Sequence, residues 1–427
     1  MQLKIEKLVY GGEGMGHSDG LAVFVPFVAP GETVAVRLDA HKKKFARGHV
    51  EKIVETSPGR VVPRCPYFTR CGGCHYQHLP YDAQLSYKRE ILLETLARLG
   101  GVRWQGPVEV HASPPFGYRN RAQWKVRPAV GGISQIGYLE AGSEALCAVD
   151  QCPILSPRLE DTLARVRGLL ERLEIPAALT EVEAFADGED ERILLSTSFA
   201  NFGGNTAQAL GGLLRQAIPA IESLLLHDAS RDRFELLGPG YLRYSVGDRR
   251  YRVGHLSFFQ VNRFLVGALA ERATAGAAGR LALDLYAGVG LFSLPLAATF
   301  SRVVAVEGNP AATRDLEDNV RSAAGQGGAI DVRTEDAEEF LPRTHKRPDL
   351  ILLDPPRAGL SDAVRTRLAV SGAPDIRYVS CDPATLARDL KDLCATYEVA
   401  GIELFDLFPQ SFHLETLVRL RRRESAT

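Results

Sequence analysis

Three stretches of this sequence end apolar runs in side chains that can do chemistry. Tyr378-Val379-Ser380-Cys381-Asp382-Pro383 leaves a thiol at the end of one run, and a thiol followed there by Asp-Pro is placed for nucleophilic work. Leu350-Ile351-Leu352-Leu353-Asp354-Pro355-Pro356-Arg357 leaves a carboxylate at the end of another. Two prolines stop the strand ladder, so Asp354 sits at a tip where it can accept hydrogen bonds from a base edge. Asp284-Leu285-Tyr286-Ala287-Gly288-Val289-Gly290-Leu291-Phe292 is a glycine turn, in which Gly288 and Gly290 let a cofactor approach the backbone at the opening of a helix. A dinucleotide fingerprint needs a third glycine where this chain has Ser293, which argues against NAD. Glu307 is placed to accept from both hydroxyls of a ribose, and Asp336 from an adenine amino group. The turn and the two acids together fit S-adenosylmethionine, a nucleoside without phosphate.

These residues need a frame that gathers strand ends. From about residue 280, short apolar runs at 281–286, 303–307, 329–332, 350–354 and 378–381 alternate with helical stretches. The alternation predicts an α/β fold over 254–427, a doubly wound, mostly parallel sheet with its ligands at the carboxyl ends of the strands. Residues 57–253 read as α+β. They hold a Pro-, Cys- and Gly-rich knuckle over 57–80 and a helix over 81–99, with Leu85, Leu92, Leu96 and Leu99 on one face and Gly100-Gly101 as its stop. A strand near 123–126, helices near 158–173 and 206–226 and a hairpin around 245–249 follow. The 81–99 helix is expected to dock on the catalytic domain. Residues 1–56 alternate short strands with glycine turns, among them 11–16, the pattern of a small OB-like barrel.

Two segments set cations beside aromatics. His41-Lys42-Lys43-Lys44-Phe45-Ala46-Arg47 forms a basic tip on the barrel, and Tyr118-Arg119-Asn120-Arg121-Ala122-Gln123-Trp124-Lys125-Val126-Arg127 sets alternate basic residues beside two aromatic rings. Splayed bases can stack on such a strand while cations take phosphates. Lys42, Lys43, Lys44, Arg47, Arg119, Arg121 and Lys125 are therefore candidate RNA contacts, against the plainer reading of a solvated loop and a solvated strand face. The overall net charge of −1 conceals this polarity. Residues 1–128 carry 19 Lys/Arg against 11 Asp/Glu, a net of +8, and the remainder 32 against 41, a net of −9.

Apolar residues at 45% and charged residues at 24% exclude a collagen-like chain, a disulfide mini-scaffold and wholesale disorder. No apolar run reaches the roughly 18 residues of a membrane span, and the first residues carry no export signal, so a cytoplasmic location is expected. Seven cysteines, an odd number in such a chain, do not suggest a disulfide framework. Cys65, Cys71 and Cys74 of the knuckle, joined by Cys152, make a four-thiolate set that serves zinc and iron–sulfur alike. Cys147 and Cys394 read as structural.

Asp354-Pro355-Pro356-Arg357, Ser380-Cys381-Asp382-Pro383, Phe258-Phe259-Gln260-Val261-Asn262 and His413-Leu414-Glu415 together resemble the motifs of the RNA uracil-C5 methyltransferases, which make 5-methyluridine. The resemblance covers nearly the whole chain. It implies a TRAM domain, an OB-like RNA-binding barrel, over 1–56, and a Rossmann-like class I S-adenosylmethionine-dependent methyltransferase domain at the other end. It implies that Cys381 adds to carbon 6 of uracil, that Glu415 is the base that removes the proton from carbon 5, and that Asp354 holds the uracil edge. Gln260, Tyr286, Gly288, Gly290, Leu291, Glu307 and Asp336, with Asp354, would line the cofactor site. Leu291 stands where some members carry a polar residue, which leaves its backbone as the contact, and Ala287 stands where many have cysteine. The ribosomal-RNA branch holds a [4Fe-4S] cluster on four cysteines, which implies Cys65, Cys71, Cys74 and Cys152 as ligands and 23S rRNA as substrate, with a tRNA T-loop uridine as the alternative.

The chemistry makes the same demand. Carbon 5 of uracil is a poor nucleophile, so a thiolate must first add to carbon 6. An unperturbed thiol of pKa ~8.5 is only about 3% ionised at pH 7; the site must lower that pKa or take the proton as sulfur attacks. Two readings compete: an amino-directed methyltransferase, which needs no thiol, and a non-catalytic RNA-binding protein that keeps a cofactor pocket.

Overall fold

In the first 55 residues, alternating apolar and polar side chains bury one face of six short strands. Their order is Gln2–Lys4, Thr33–His41, Phe45–Glu55, Leu21–Pro26, Glu13–Ser18 and Lys7–Leu8. Leu3, Ile5, Val23, Val25, Val34, Val36 and Ala46 fill the inside of this half-barrel. The computed structural model describes residues 1–42, 44–129, 132–175, 178–201, 206–325 and 327–424. The segment expected as a turn over 11–16 is in large part the strand Glu13–Ser18. A Cβ at Gly16 would stand 2.1 Å from the carbonyl oxygen of Lys4, so glycine here permits a close strand crossing rather than a turn.

A seven-stranded sheet follows, ordered Leu146–Ala148, Ser134–Leu139, Arg121–Pro128, Leu179–Ala186, Ile193–Phe199, Ile221–Asp228 and Arg233–Leu237. The helix expected over 206–226 ends at Ala217, and its second half is the strand Ile221–Asp228. Pro219 has no amide proton for a helical ladder. Beyond it the period becomes two, with Leu224 and Leu226 buried and Leu225 and His227 only partly so. The hairpin pairs Tyr241–Val246 with Arg249–Gly254.

The largest sheet has eight strands, ordered Ala329–Thr334, Phe300–Glu307, Gly279–Leu285, Leu350–Leu353, Asp375–Ser380, Glu415–Arg422, Tyr397–Phe405 and Val108–His111. The first five are parallel and coincide with the five apolar runs of the sequence. Glu415–Arg422 runs antiparallel to both its neighbours. The edge strand Val108–His111 joins from the middle of the chain, pairing parallel to Tyr397–Phe405. Strand order reverses between Gly279–Leu285 and Leu350–Leu353, the switch point at which open α/β sheets bind ligands.

Helix Tyr81–Gly100 packs on helix Pro383–Leu393, so closely that a Cβ at Gly100 would meet the carbonyl oxygen of Ala387 at 2.5 Å. Its buried face is Gln84, Lys88, Ile91, Leu92 and Leu96, whereas Leu99, expected on that face, is 52% exposed. The face is rotated because polar side chains find partners across it. Lys88 is wholly buried, with its Nζ 2.6 Å from Asp406 Oδ1 and 3.0 Å from the carbonyl of Phe408. No helix among the described residues is long and apolar enough to cross a membrane.

Candidate active site

At the switch point the first strand runs into a turn of left-handed residues, with φ of +61° at Tyr286, +55° at Gly288 and +93° at Gly290. The two glycines take that conformation without a Cβ penalty. The turn is tied to the next strand end through Glu307, whose Oε2 accepts from the Gly288 amide at 2.8 Å and whose Oε1 accepts from the Asn309 amide at 2.7 Å. Asp336 lies beside it: a Cβ at Gly308 would stand 2.2 Å from Asp336 Oδ1. The two acids expected at the ribose and the adenine are thus neighbours. Burial, reinforced by Glu338 and Asp336, pushes the Tyr286 hydroxyl up to about 12. Leu291 turns its side chain into the core and its carbonyl accepts from the Tyr251 hydroxyl at 3.2 Å.

Sequence reasoning passed over Asp284, the first residue of the turn motif. Its Oδ2 accepts from the Ser293 hydroxyl at 2.5 Å, while its Oδ1 is buried with no hydrogen-bond partner. Burial pushes this carboxyl up to about 7. A buried acceptor left open at the switch point fits the ammonium of an amino-acid moiety such as that of S-adenosylmethionine.

Next to it stand the residues that would meet the substrate. Asp354 follows the strand Leu350–Leu353, and the amide of Gln260 donates to its Oδ2 at 3.4 Å. Gln260 is itself held by its segment: Ser257 Oγ and the Gly254 amide both donate to Asp315 Oδ2 at 2.6 Å, and Asn262 Nδ2 donates to the Leu407 carbonyl at 3.2 Å. Cys381 lies where strand Asp375–Ser380 turns into helix Pro383–Leu393, and Glu415 opens the neighbouring antiparallel strand.

The three groups share one field. Burial, and then Asp284, pushes Asp354 up to about 7. Burial and Asp354 hold Glu415 well above the carboxylate range, opposed by Arg357. Burial, Glu415 and Asp354 push the Cys381 thiol up to about 12, again opposed by Arg357. Of the two routes open to the thiol, this site does not lower the pKa. A nucleophilic role for this thiol would therefore need the other route, loss of the proton during attack.

Residues 80–423 match the model of the family described as tRNA (Uracil-5-)-methyltransferase, and residues 1–50 match the TRAM domain. The chain belongs to this methyltransferase family. An uncharacterised RNA methyltransferase of Thermosynechococcus vestitus is 34% identical, over 98% of this chain and 97% of its own. A 23S rRNA (uracil(1939)-C(5))-methyltransferase of Alkalilimnicola ehrlichii is 32% identical, over 99% and 96%. Among solved structures, the Pyrococcus abyssi tRNA (uracil-54, C5)-methyltransferase, in complex with S-adenosyl-L-homocysteine, superposes with a TM-score of 0.77. It is 27% identical, over 98% of this chain and all of that one. The protein is thus an S-adenosylmethionine-dependent RNA uracil-C5 methyltransferase with an N-terminal TRAM half-barrel.

The four candidate ligand cysteines of this methyltransferase fall in two segments that the fold brings together. Cys71 forms a β-bridge with Glu140, and the Gly72 amide donates to the Leu139 carbonyl at 3.0 Å. The Cys65 amide donates to Gln77 at 2.9 Å and the Tyr138 hydroxyl to Cys152 Sγ at 3.7 Å. Burial pushes all four thiols up, Cys71 to about 11 and Cys74 and Cys152 to about 12. Thiols buried this way fit a group that brings its own positive charge. Cys147, expected to be structural, is buried and accepts from Arg70 Nε at 3.2 Å.

The two cation–aromatic segments fare differently. On the half-barrel, Arg47 lies over the rings of Phe45 and Phe24, 5.7 and 6.0 Å from their centroids, and Lys42 lies 5.4 Å over Phe45. Lys44 is exposed, and Lys43 lies outside the described residues. The strand Arg121–Pro128 does not offer the stacking surface expected of it. Trp124 is 0% exposed because it belongs to the core that the strand shares with helix Pro157–Glu171, and Tyr118, which precedes the strand, is 1% exposed with its hydroxyl donated to the Pro409 carbonyl at 3.0 Å. Its cations have intramolecular partners: Arg121 pairs with Glu183, Lys125 with Glu181, and Arg119 Nε donates to the Arg121 carbonyl at 2.8 Å.

Proposed function

We propose that this enzyme methylates carbon 5 of a uridine in 23S rRNA, with Cys381 as nucleophile, Glu415 as base and a [4Fe-4S] cluster on Cys65, Cys71, Cys74 and Cys152. The observation that carries the mechanism is one thiol and two carboxyls, Cys381, Asp354 and Glu415, converging at adjacent strand ends beside the cofactor turn. The target uridine leaves its stack to enter, and Asp354 accepts from its edge. Cys381 gives its proton to solvent as its sulfur bonds to carbon 6, and the electron pair of the 5,6 double bond moves into an enolate that makes carbon 5 nucleophilic. S-adenosylmethionine supplies the sulfonium methyl that carbon 5 accepts. Glu415, a strong base once ionised because burial raises its pKa, removes the proton from carbon 5, and elimination frees Cys381. Arg357 faces both and offsets charge at each ionised stage.

Support for 23S rRNA is the cysteine set joined to the half-barrel, together with full-length relatives of that activity at 32–33% identity. Support for iron–sulfur over zinc is the resemblance of this cysteine set to the four cluster ligands of the family's ribosomal-RNA branch, since four thiolates by themselves serve either metal. The cluster would have a thiolate at each iron, and its role would be to restrain the knuckle.

The test is transfer of labelled methyl from S-adenosylmethionine to 23S rRNA and tRNA transcripts by anaerobically purified enzyme, with Cys381→Ala in parallel. Label in rRNA that is lost in the variant is expected. Label only in tRNA overturns the target, full turnover by Cys381→Ala overturns the nucleophile, and stoichiometric zinc in a colourless protein overturns the cluster.

A further inference from the structure

Tyr10 belongs to the half-barrel, between the strands Lys7–Leu8 and Glu13–Ser18, yet its side chain ends in the catalytic domain. Its hydroxyl donates to Asp382 Oδ2 across 3.0 Å, and its ring meets Phe412 edge-on at 5.5 Å. Asp382 directly follows the nucleophile. Its other oxygen, Oδ1, caps helix Pro383–Leu393 by accepting from the amides of Ala384 and Thr385, both at 2.9 Å. One oxygen of this carboxylate is therefore held by the helix and the other by the half-barrel. The peptide carrying Cys381 is fixed between a central strand and that clamp.

We propose that Tyr10 is a positioning residue for methyl transfer, holding Asp382 so that Cys381 presents its sulfur correctly only when the half-barrel is docked. The inference rests on the reading of Cys381 as the nucleophile and adds a link between the RNA-binding module and the reacting atom. The charged groups facing Cys381 are Glu415, Asp354, Arg357 and Asp382. Three of these four are acids that disfavour a thiolate, and Asp382 is the one next to it in sequence. A hydroxyl donated to Oδ2 both fixes that carboxylate's orientation and spreads its charge away from the sulfur. Without the donor, the undispersed charge of Oδ2 stays beside the sulfur and favours the protonated thiol. RNA that engages the half-barrel would then act on the nucleophile through this one hydrogen bond, as well as through local concentration.

Tyr10→Phe tests this on the full-length enzyme, because it deletes the hydroxyl and keeps the ring on Phe412. Turnover on 23S rRNA and tRNA transcripts, cofactor affinity and the pH profile of Cys381 alkylation by iodoacetamide are measured, with Cys381→Ala as a parallel control. The loss of one charged hydrogen bond is expected to lower kcat about tenfold, with KM for RNA and cofactor affinity changed by less than about twofold. The alkylation profile should move to higher pH. A wild-type kcat and alkylation profile in Tyr10→Phe, with Cys381→Ala inactive, overturns the positioning role alone. A rise confined to KM overturns it too, by making Tyr10 an RNA contact. Full activity of Cys381→Ala overturns instead the reading on which the inference rests.

Discussion

The backbone amide of His75 donates to the carbonyl oxygen of Gln410 across 2.8 Å, and the amide of Tyr76 shares that acceptor at 2.9 Å. The two residues after Cys74 thus grip a single peptide of the loop that leads to Glu415. Gln410 has a φ of +68°, which a non-glycine residue keeps only when its surroundings hold it. Gln84 helps to hold it, accepting from the Gln410 amide and donating to its side chain, both at 3.0 Å. The Tyr118 hydroxyl adds a bond to the Pro409 carbonyl at 3.0 Å. The cysteine knuckle and the loop before Glu415 form one mechanical unit.

Breaking the thiol set should therefore be felt at Glu415. Cys74→Ser is expected to leave cofactor affinity near wild type while methyl transfer falls about tenfold or more, because the catalytic geometry loosens. Hydrogen exchange across residues 406–414 is the direct check, and unchanged protection there would disconnect the knuckle from Glu415.

The buried acids at the switch point give a stability prediction with a definite sign. Asp284 is pushed up to about 7, above the ~3.9 of an unfolded chain. The folded protein binds the extra proton, so this contribution is full below about pH 4 and is lost as pH rises through about 7. Asp284→Asn mimics the protonated acid. Without cofactor it should melt close to wild type near pH 4 and several degrees higher at pH 8, a gain of about 1–3 kcal/mol, while binding S-adenosylmethionine more weakly. Equal melting differences at both pH values would show that Asp284 is not held protonated by burial.

Arg357 is the cation that favours the ionised forms of both Cys381 and Glu415. Its guanidinium stands 3.4 Å from His413 Nδ1, and burial together with Arg357 pushes that imidazole down to about 3, so it stays neutral at working pH. Arg357→Met should slow alkylation of Cys381 and lower kcat by roughly ten- to a hundredfold, with Arg357→Lys restoring part of it. Alkylation of Arg357→Met at the wild-type rate would remove the guanidinium from the thiol's activation.

The RNA cations should separate into two groups. Replacing Lys42 and Lys44 by alanine is expected to weaken RNA binding more than cofactor binding and to reduce the salt slope by about one for each phosphate left without its cation. Lys125→Ala should leave RNA affinity within about twofold, because its charge is already taken by Glu181. Filter binding across a salt series measures both. A salt slope that falls with Lys125→Ala and not with the half-barrel pair would reverse the assignment.

The five parallel strands, the glycine turn, Glu307, Asp336, Asp354 and Cys381 are legible in the sequence because each of these residues closes or shortly follows a strand run, and the run itself identifies the strand. Local punctuation suffices there: two prolines after Asp354, and glycines where φ is positive. The 206–226 helix fails as an expectation for an equally local reason, since Pro219 marks the change of period. Trp124 misleads because an aromatic beside cations looks the same in sequence whether its face meets RNA or a helix.

The sequence by itself therefore determined which chemical groups exist and at which strand ends they lie, since steric and hydrogen-bonding rules over a few neighbours decide that. The tertiary structure alone decided what surrounds them. The grip of His75 on Gln410, the buried pairing of Lys88 with Asp406, the reach of Tyr10 to Asp382 and the rise of the Cys381 pKa all join residues far apart in the chain. Burial and electrostatic potential at a side chain are set by whatever packs on its other side, and no local pattern carries that information.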